Sequence, residues 1–270
     1  MNTLPLIGFI GGGNMALAIL GGLRRAGAPA GGFVVVEPVA AQRERLRAEL
    51  GIEALEAAGP ALAAAEVVVW AVKPQVFAEA AAPCALHVGA ALQLSIMAGV
   101  RSETIVAATG SAQVVRAMPN TPALIGRGIA GLYAREGVSD AQRALVQAVL
   151  APTGELVWVA REQDLDAVTA LSGSGPAYVF YVLEAMIEAG TQMGLTPAQA
   201  RELAQHTFAG AAALAAQSEE SPETLRARVT SKGGTTHAAI VALDEAGVKA
   251  AFVRALHAAR QRAEELGRGG

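Results

Sequence analysis

A glycine-rich turn near the start of the chain constrains the fold most strongly. Residues 6–16 have the sequence LIGFIGGGNMA, in which Gly11, Gly13 and Ala16 follow an apolar run with the spacing G-x-G-x-x-A. In this pattern the first glycine permits a tight turn, the second leaves room for a pyrophosphate, and the alanine lets a helix pack closely on the strand. Because N–H groups at a helix start attract phosphates, the segment predicts a strand and helix that hold a dinucleotide. The alternative is a tight turn that binds nothing.

Short β-branched runs and alanine-rich helical stretches alternate through the first half of the chain. We predict helices over residues 14–26, 40–50 and 140–150. We predict strands over residues 6–10, 33–36, 67–71, 92–96, 113–117, 128–133 and 155–159. Strands that alternate with helices indicate a mostly parallel sheet covered on both faces. The first half is therefore predicted to be a Rossmann-type α/β domain.

The second half of the chain loses its strand pattern. Pro176, Thr196-Pro197 and Ser221-Pro222 each suit a helix start, and a last helix is predicted over residues 248–266. The shift in composition near residues 161–166 predicts a boundary between domains 1–163 and 164–270. The fold class is therefore α/β, with an N-terminal sheet domain followed by an all-α C-terminal dimerisation domain. Because the alanine-rich helix faces need a partner surface, we expect a homodimer.

Composition and charge narrow the class of protein. The chain is 53% apolar and 17% charged, which is enough to bury a large core. Its net charge of −3 and lack of basic blocks disfavour a nucleic acid partner. Its apolar runs are too short for a membrane span, and its start lacks a signal-peptide pattern. The single cysteine, Cys84, leaves no disulfide or cysteine pair for zinc, so we expect a cytoplasmic protein without a metal.

Polar residues follow two of the predicted strands at the edge where a dinucleotide binds. Glu37 ends the second strand, 24 residues after Gly13, where an acid accepts hydrogen bonds from the adenosine ribose and favours NAD over NADP. Arg43 and Arg45 could reach a 2′-phosphate, although arginines on a helix are more often plain surface. The third strand runs into Ala71, Val72 and Lys73, which we expect beside the cofactor. A merely solvated Lys73 is the alternative.

Three further segments fit the substrate end of a site. Asn120, in the turn 118–122, could orient a nicotinamide or a substrate, or could bond its own backbone in a proline-fixed turn. Residues 229–237 place two glycines and two threonines at a helix start, where N–H groups and hydroxyls bind a carboxylate. N-capping by Thr235 or Thr236 is the alternative, although capping needs only one hydroxyl. Residues 171–178 are mostly small. Close packing and contact with a ligand are the two alternative explanations for these small residues.

Taken together, five segments identify a family. They are GFIGGGNMA at 8–16, AVKPQ at 71–75, RAMPNTPALIG at 116–126, LSGSGPAYVF at 171–180 and VTSKGGTTHAAI at 229–240. The chain resembles the pyrroline-5-carboxylate reductase family over nearly its whole length. The first two motifs are shared by many nicotinamide enzymes, whereas the last three, in this order, are specific to the family.

The resemblance implies that the chain transfers hydride from C4 of a reduced nicotinamide to the C5=N carbon of 1-pyrroline-5-carboxylate. The product is L-proline, and the reaction is the last step of proline biosynthesis. The resemblance places the substrate carboxylate at Gly233, Gly234, Thr235 and Thr236, with Glu162 near the substrate. Ser231 and Thr236 are implied as catalytic residues, and a hydroxyl such as that of Thr236 would relay a proton or orient the imine.

The resemblance also implies the cofactor contacts and the assembly. The implied contacts are Ile10, Gly11, Gly13, Asn14, Met15, Glu37, Ala71, Val72, Lys73, Ala98 and Asn120. Each active site is implied to lie between the N-terminal domain of one subunit and helices of its dimer partner. Family members often form rings of dimers, such as a decamer built from five dimers.

Two departures from the family pattern bear on the cofactor. Glu37 stands where NADPH-using relatives often have a small hydroxyl residue, and an acid there repels a 2′-phosphate. Arg228 stands where relatives often have asparagine, and its charge could compensate in part. The cofactor is therefore NADPH or NADH, with Glu37 favouring acceptance of NADH.

Two other functions compete with this interpretation. A β-hydroxyacid dehydrogenase of similar architecture would use a lysine on a helix of the second domain, but residues 165–217 contain no lysine. A non-catalytic nucleotide-sensing module would leave the hydroxyl cluster of residues 231–236 unexplained.

Overall fold

The computed structural model describes residues 4–268 and divides the chain into two compact units. The first is Met1–Ser174 together with Ala259–Gly270, and the second is Gly175–Ala258. No helix in the described range is long and apolar enough to cross a membrane.

A seven-stranded sheet forms the centre of the first unit. In chain order its strands are β1 Ile7–Ile10, β2 Phe33–Val36, β3 Val67–Trp70, β4 Leu92–Ser95, β5 Val114–Met118, β6 Gly128–Ala134 and β7 Gly154–Trp158. The strand order is β2-β1-β3-β4-β5-β6-β7, and neighbouring strands are parallel except at β5–β6. The carboxyl ends of β1 to β5 therefore meet at one edge. The predicted fold class is confirmed.

Helices cover both faces of this sheet. They are α1 Asn14–Arg25, α2 Ala40–Leu50, α3 Phe77–Ala81, α4 Ala85–Val88, α5 Ser102–Thr109, α6 Asp140–Leu150 and α7 Asp164–Val168. One buried cluster contains Phe9 and Leu20, and a second contains Trp70 and Ile105. Apolar strand residues that are buried on both faces are typical of a parallel sheet. Their packing holds the strands, and with them the strand ends, in position.

The second unit is helical, and its last helix ends in the first unit. The helices are α8 Gly175–Gln192, α9 Pro197–Gln217, α10 Pro222–Arg228, α11 Thr235–Glu245 and α12 Val248–Arg268. Thr196 and Ser221 cap α9 and α10 with their hydroxyls, so both helices begin where they were predicted to begin. α8 and α9 pack closely, since a Cβ on Gly190 would lie 2.9 Å from that of Ala200.

A π-helical turn, Thr169–Gly173, joins α7 to the junction of the two units. The units separate between Ser174 and Gly175, eleven residues beyond the boundary predicted at 163/164. The compact units are defined by contacts within one chain, whereas the predicted boundary marks the start of a domain that dimerises. The boundary at 163/164 therefore stays a prediction.

Candidate active site

The glycine turn between β1 and α1 has the geometry of a phosphate-binding loop. Gly11 has φ +98°, and a Cβ there would lie 2.7 Å from the carbonyl oxygen of Ala71. Gly13 is the N-cap of α1 without a side-chain cap, and a Cβ on it would meet nothing within 4 Å. Gly11 is thus required by the turn itself, while Gly13 leaves open space at the helix start, as a bound pyrophosphate needs.

Glu37 follows the last residue of β2, contacts the glycine turn and is only 7% exposed. Its Oε2 accepts the N–H of Gly12 at 2.7 Å, and its Oε1 accepts the N–H of Val39 at 2.8 Å. The carboxylate therefore ties the end of β2 to the glycine turn. The sequence located the acid correctly at this edge, but the spacing could not reveal its backbone partners.

Two arginines of α2 lie at the same edge. Arg43 donates to the carbonyl oxygens of Glu37 at 3.0 Å and Pro38 at 2.6 Å, and it pairs with Glu56 at 3.3 Å. Arg45 donates to Oδ1 of Asn14, the first residue of α1, at 2.9 Å. Both guanidinium groups thus bond to residues at this edge, and a contact with a 2′-phosphate stays a prediction.

A cavity of about 380 Å³ opens at the carboxyl ends of β1, β2 and β3. A largely apolar cavity of this size at a strand-end crevice suits an adenosine group. Burial raises the pKa of the Cys84 thiol to about 11, so this lining residue is neutral at physiological pH. The lining comprises Ile10, Gly11, Val36, Pro38, Glu56, Ala57, Ala58, Val72, Val76, Glu79, Ala80, Pro83 and Cys84. Ala57 and Ala58 escaped sequence reasoning because they belong to no motif.

The other predicted cofactor residues of the first unit are spread along this edge. Ala71 donates its N–H to the Ile10 carbonyl at 2.8 Å, and Lys73 is an exposed residue just beyond β3. Met15 is half-buried and packs against the core. Ala98 is half-buried in the loop after β4. The predicted cofactor residues described so far therefore lie at the carboxyl ends of β1, β2, β3 and β4.

Asn120 connects two of the family motifs. Its Nδ2 donates to the carbonyl oxygen of Ser172 at 3.3 Å, and its Oδ1 accepts the N–H of Ile129 at 3.0 Å. A Cβ on Gly173 would lie 2.6 Å from Cε of Met118, so the glycine permits this close approach. Asn120 thus bonds to distant backbone rather than to its own turn, and close packing accounts for Gly173.

Glu162 lies in a network of buried charges at the start of α5. It pairs with Arg116 at 2.8 Å and accepts the N–H and hydroxyl of Ser102 at 2.6 and 2.7 Å. Burial favours the neutral carboxyl. The bonds from Ser102 and Arg116 outweigh this effect and hold the pKa of Glu162 below its ordinary value. A second pair joins Arg101 to Asp166 at 2.8 Å.

The hydroxyl residues Ser231, Thr235 and Thr236 of the second unit lie at the start of α11 and in the loop before it. Gly234 is the N-cap and offers no side chain, so N-capping by Thr235 or Thr236 is wrong. Gly233 has φ +77°, and Gly234 donates to the Ser231 carbonyl at 3.0 Å. The N–H groups of the first helical turn precede the first intrahelical bond and remain free to bind an anion.

Arg228 has a definite partner near this cluster. Its guanidinium pairs with Glu220 at 2.5 Å, while two thirds of the side chain stays exposed. Glu220 lies in the loop before α10 and Arg228 is the last residue of that helix. The ion pair therefore balances the charge of Arg228 within the second unit.

A mostly parallel sheet with a glycine turn and an apolar cavity at its strand ends, followed by a helical unit, is the architecture of many nicotinamide-dependent oxidoreductases. Residues 6–99 match a family model described as NADP oxidoreductase coenzyme F420-dependent, and residues 162–266 match one described as pyrroline-5-carboxylate reductase dimerisation. These matches support a nicotinamide cofactor and an oligomer.

Full-length relatives define the family. The chain is 44% identical to a pyrroline-5-carboxylate reductase of Pseudomonas aeruginosa, covering 98% of this chain and 97% of the relative. It is 42% identical to one of Haemophilus influenzae, over 97% of each. A solved pyrroline-5-carboxylate reductase from Coxiella burnetii superposes with TM-score 0.91 at 37% identity, covering 98% of this chain and 99% of that one. The chain belongs to the pyrroline-5-carboxylate reductase family, and the resemblance drawn from the motifs is confirmed.

Proposed function

We propose that this protein reduces 1-pyrroline-5-carboxylate to L-proline with a reduced nicotinamide cofactor. The observation that carries the proposal is the start of α11, where the N-cap is Gly234, no side chain caps the first N–H groups, and Ser231, Thr235 and Thr236 lie within five residues of it. Such a site suits the carboxylate of a small cyclic imine. Full-length relatives named for this reaction support the same activity.

The residues of the first unit would hold the cofactor, which supplies the hydride that reduces the imine carbon. The turn at Gly11 and Gly13, together with Asn14 at the start of α1, would hold the pyrophosphate. Glu37 and the cavity between β1, β2 and β3 would hold the adenosine. The remaining cofactor contacts that we propose are Ile10, Met15, Ala71, Val72, Lys73, Ala98 and Asn120.

The second unit would orient the substrate. The backbone at Gly233 and Gly234 and both the backbone and the hydroxyl of Thr235 bind the carboxylate. The hydroxyls of Ser231 and Thr236 hold the ring nitrogen or relay its proton. As hydride arrives at C5, the C=N π electrons become a lone pair on the nitrogen. A nitrogen that is already protonated then becomes a neutral amine, whereas an unprotonated nitrogen would become an anion and must take up a proton. One proton must therefore reach this nitrogen before or during reduction. Glu162 would lie in the substrate region.

The active protein is proposed to be a cytoplasmic homodimer, assembled further as a decamer. The helical part that would complete the site is residues 164–270, in agreement with the dimerisation match that begins at residue 162. Large apolar side chains stay exposed in the second unit, among them Tyr181 at 74% and Leu203 at 57%. A partner subunit would cover such a surface.

A spectrophotometric assay tests the activity. Purified protein should oxidise NADH or NADPH only after 1-pyrroline-5-carboxylate is added, with L-proline formed in equal amount. Folded protein that is inactive with both cofactors would refute the proposal.

Removal of the Thr236 hydroxyl tests the proposed catalytic role. Thr236→Val keeps the side-chain shape and should lower kcat on the order of 10²-fold, the range for one proton-transfer group, with less effect on cofactor binding. Thr236→Ser, the matched control, keeps the hydroxyl and should retain most of the activity. Equal kcat for the valine variant and the parent would remove Thr236 from the chemistry.

NADH preference is proposed to depend on the charge of Glu37. An acid at this position repels a 2′-phosphate, so Glu37→Ser should raise kcat/KM for NADPH relative to NADH by about tenfold. Because Glu37 also bonds to Gly12, the serine variant loses support for the turn. Glu37→Gln keeps one acceptor oxygen and should shift the ratio in the same direction with less loss of stability. An unchanged ratio in both variants would place the selectivity elsewhere.

A further inference from the structure

The loop of residues 96–101 leaves β4 at the same edge as the glycine turn. The adenosine cavity lies on the β2 side of this edge, so a dinucleotide that crosses it extends its other half toward β4 and β5. The first residues of the loop are held by the sheet, since Ile96 donates its N–H to Trp70 O at 3.1 Å. Its end runs into α5, whose N-cap Arg101 offers no side-chain bond to the helix start.

Glu162 supplies the missing cap from a distant part of the chain. Its carboxylate accepts both donors of Ser102, the first residue of α5, across 60 residues of sequence. Arg116 is 4% exposed, and its ion pair with Glu162 holds the carboxylate from the sheet side. Arg101 is fixed in turn by Asp166, and a Cβ on Gly267 would lie 2.6 Å from its guanidinium. Residues on three separate segments therefore fix the end of this loop.

We propose that Glu162 is a positioning residue for the nicotinamide half of the cofactor, acting through its hydrogen bonds to Ser102. The inference rests on the proposed function only in taking the loop 96–101 to face the nicotinamide. Glu162 need not touch the substrate in this role, because its carboxylate already has three partners. The adenosine half lies at β1, β2 and β3 and is independent of the network.

A pair of double variants isolates the hydrogen bond from the charge. Arg116→Met with Glu162→Gln removes both charges but keeps an oxygen that can accept the Ser102 N–H. Arg116→Met with Glu162→Leu removes the charges and the acceptor together. Titration measures the affinity of each variant for NADH, detected by its fluorescence, and for ADP-ribose, which lacks nicotinamide. The melting temperature of each variant is recorded as well.

The leucine double variant should bind NADH about fivefold more weakly than the glutamine double variant, the loss expected for one hydrogen bond. Both should bind ADP-ribose equally. Equal NADH affinities, or a parallel loss of ADP-ribose affinity, would overturn the proposal.

Ser102→Ala keeps the charge pair and removes only the hydroxyl bond, so it remains informative if a double variant fails to fold. It should weaken NADH binding about twofold and leave ADP-ribose binding unchanged, and unchanged binding of both would also overturn the proposal.

These measurements separate the two proposals. A parent protein that binds NADH but never reduces 1-pyrroline-5-carboxylate would refute the proposed function while leaving the binding comparison intact. Active parent protein with equal NADH affinity in the two double variants would refute the positioning role alone.

Discussion

At the scale of single residues, Gly11 combines a positive φ with close backbone contact in the dinucleotide turn. Its positive φ strains any L side chain, and a Cβ would press on the carbonyl of Ala71. Gly11→Ala should therefore displace the turn from β3 and lower affinity for NADH at least about tenfold, with a stability cost of about 1–3 kcal/mol. Titration with NADH and urea unfolding at fixed protein concentration measure the two effects.

Gly27 provides the matched control for this prediction. It has almost the same φ, +97°, but a Cβ there would meet nothing within 4 Å. Gly27→Ala should therefore share the backbone strain and leave NADH affinity unchanged. If both variants lost affinity equally, general strain rather than the contact with Ala71 would explain the result.

At the scale of elements, the starts of α9 and α11 differ in a way that separates stability from function. Thr196 caps α9 through a box with Gln199, whereas α11 begins at Thr235 behind Gly234 and has no side-chain cap. Thr196→Ala should lower the free energy of unfolding by about 1 kcal/mol, the usual value of an N-cap.

Thr235→Ala is the contrasting variant. Since Thr235 satisfies no donor of its helix start, its loss should cost about 0.5 kcal/mol or less while raising KM for the imine. Urea unfolding and steady-state kinetics on both variants measure this contrast. A larger stability loss at Thr235 than at Thr196 would mean that the α11 hydroxyls are structural after all.

Element bounds were predictable where a period or a cap marks them. α2 and α6 begin and end at the predicted residues, and β1 to β7 deviate by one residue at most at either end. The short helices α3 and α4 were missed because they have five and four residues, too few for a helical period, and Pro83 lies between them. The π-helical turn 169–173 was missed because no short sequence pattern marks it, and its neighbours Met118 and Asn120 lie far away in sequence.

The candidate site was predictable where a motif carries it. Gly11, Gly13 and the cluster 231–236 follow from spacing and residue type. The partners of Glu37 and Glu162 did not follow, because each carboxylate bonds to groups between 2 and 60 residues away that no short pattern connects. Buried polar groups must be satisfied, but sequence does not identify their partners.

At the scale of the whole molecule, the Arg116–Glu162 pair links stability to pH. The folded state holds the pKa of Glu162 below its ordinary value of about 4.5, so the folded protein binds fewer protons there than the unfolded chain. The stability from this group is fully present above the unfolded pKa and is lost as pH falls through the lower, folded pKa. The group therefore makes the parent protein less stable as pH drops below about 4.5.

The double variant Arg116→Met with Glu162→Gln removes this titration without leaving a buried unpaired charge. Between pH 7 and pH 3.5 its urea midpoint should fall less steeply than that of the parent. Asp164→Asn is the control. The pKa of Asp164 is also lowered, by its hydrogen bond and ion pair with Arg161, but two thirds of the Arg161 side chain is exposed. Solvent screens such a pair, so this variant should follow the parent curve. If the asparagine variant flattened the curve as much as the double variant did, acid sensitivity would lie in surface charge rather than in the buried network behind the cofactor edge.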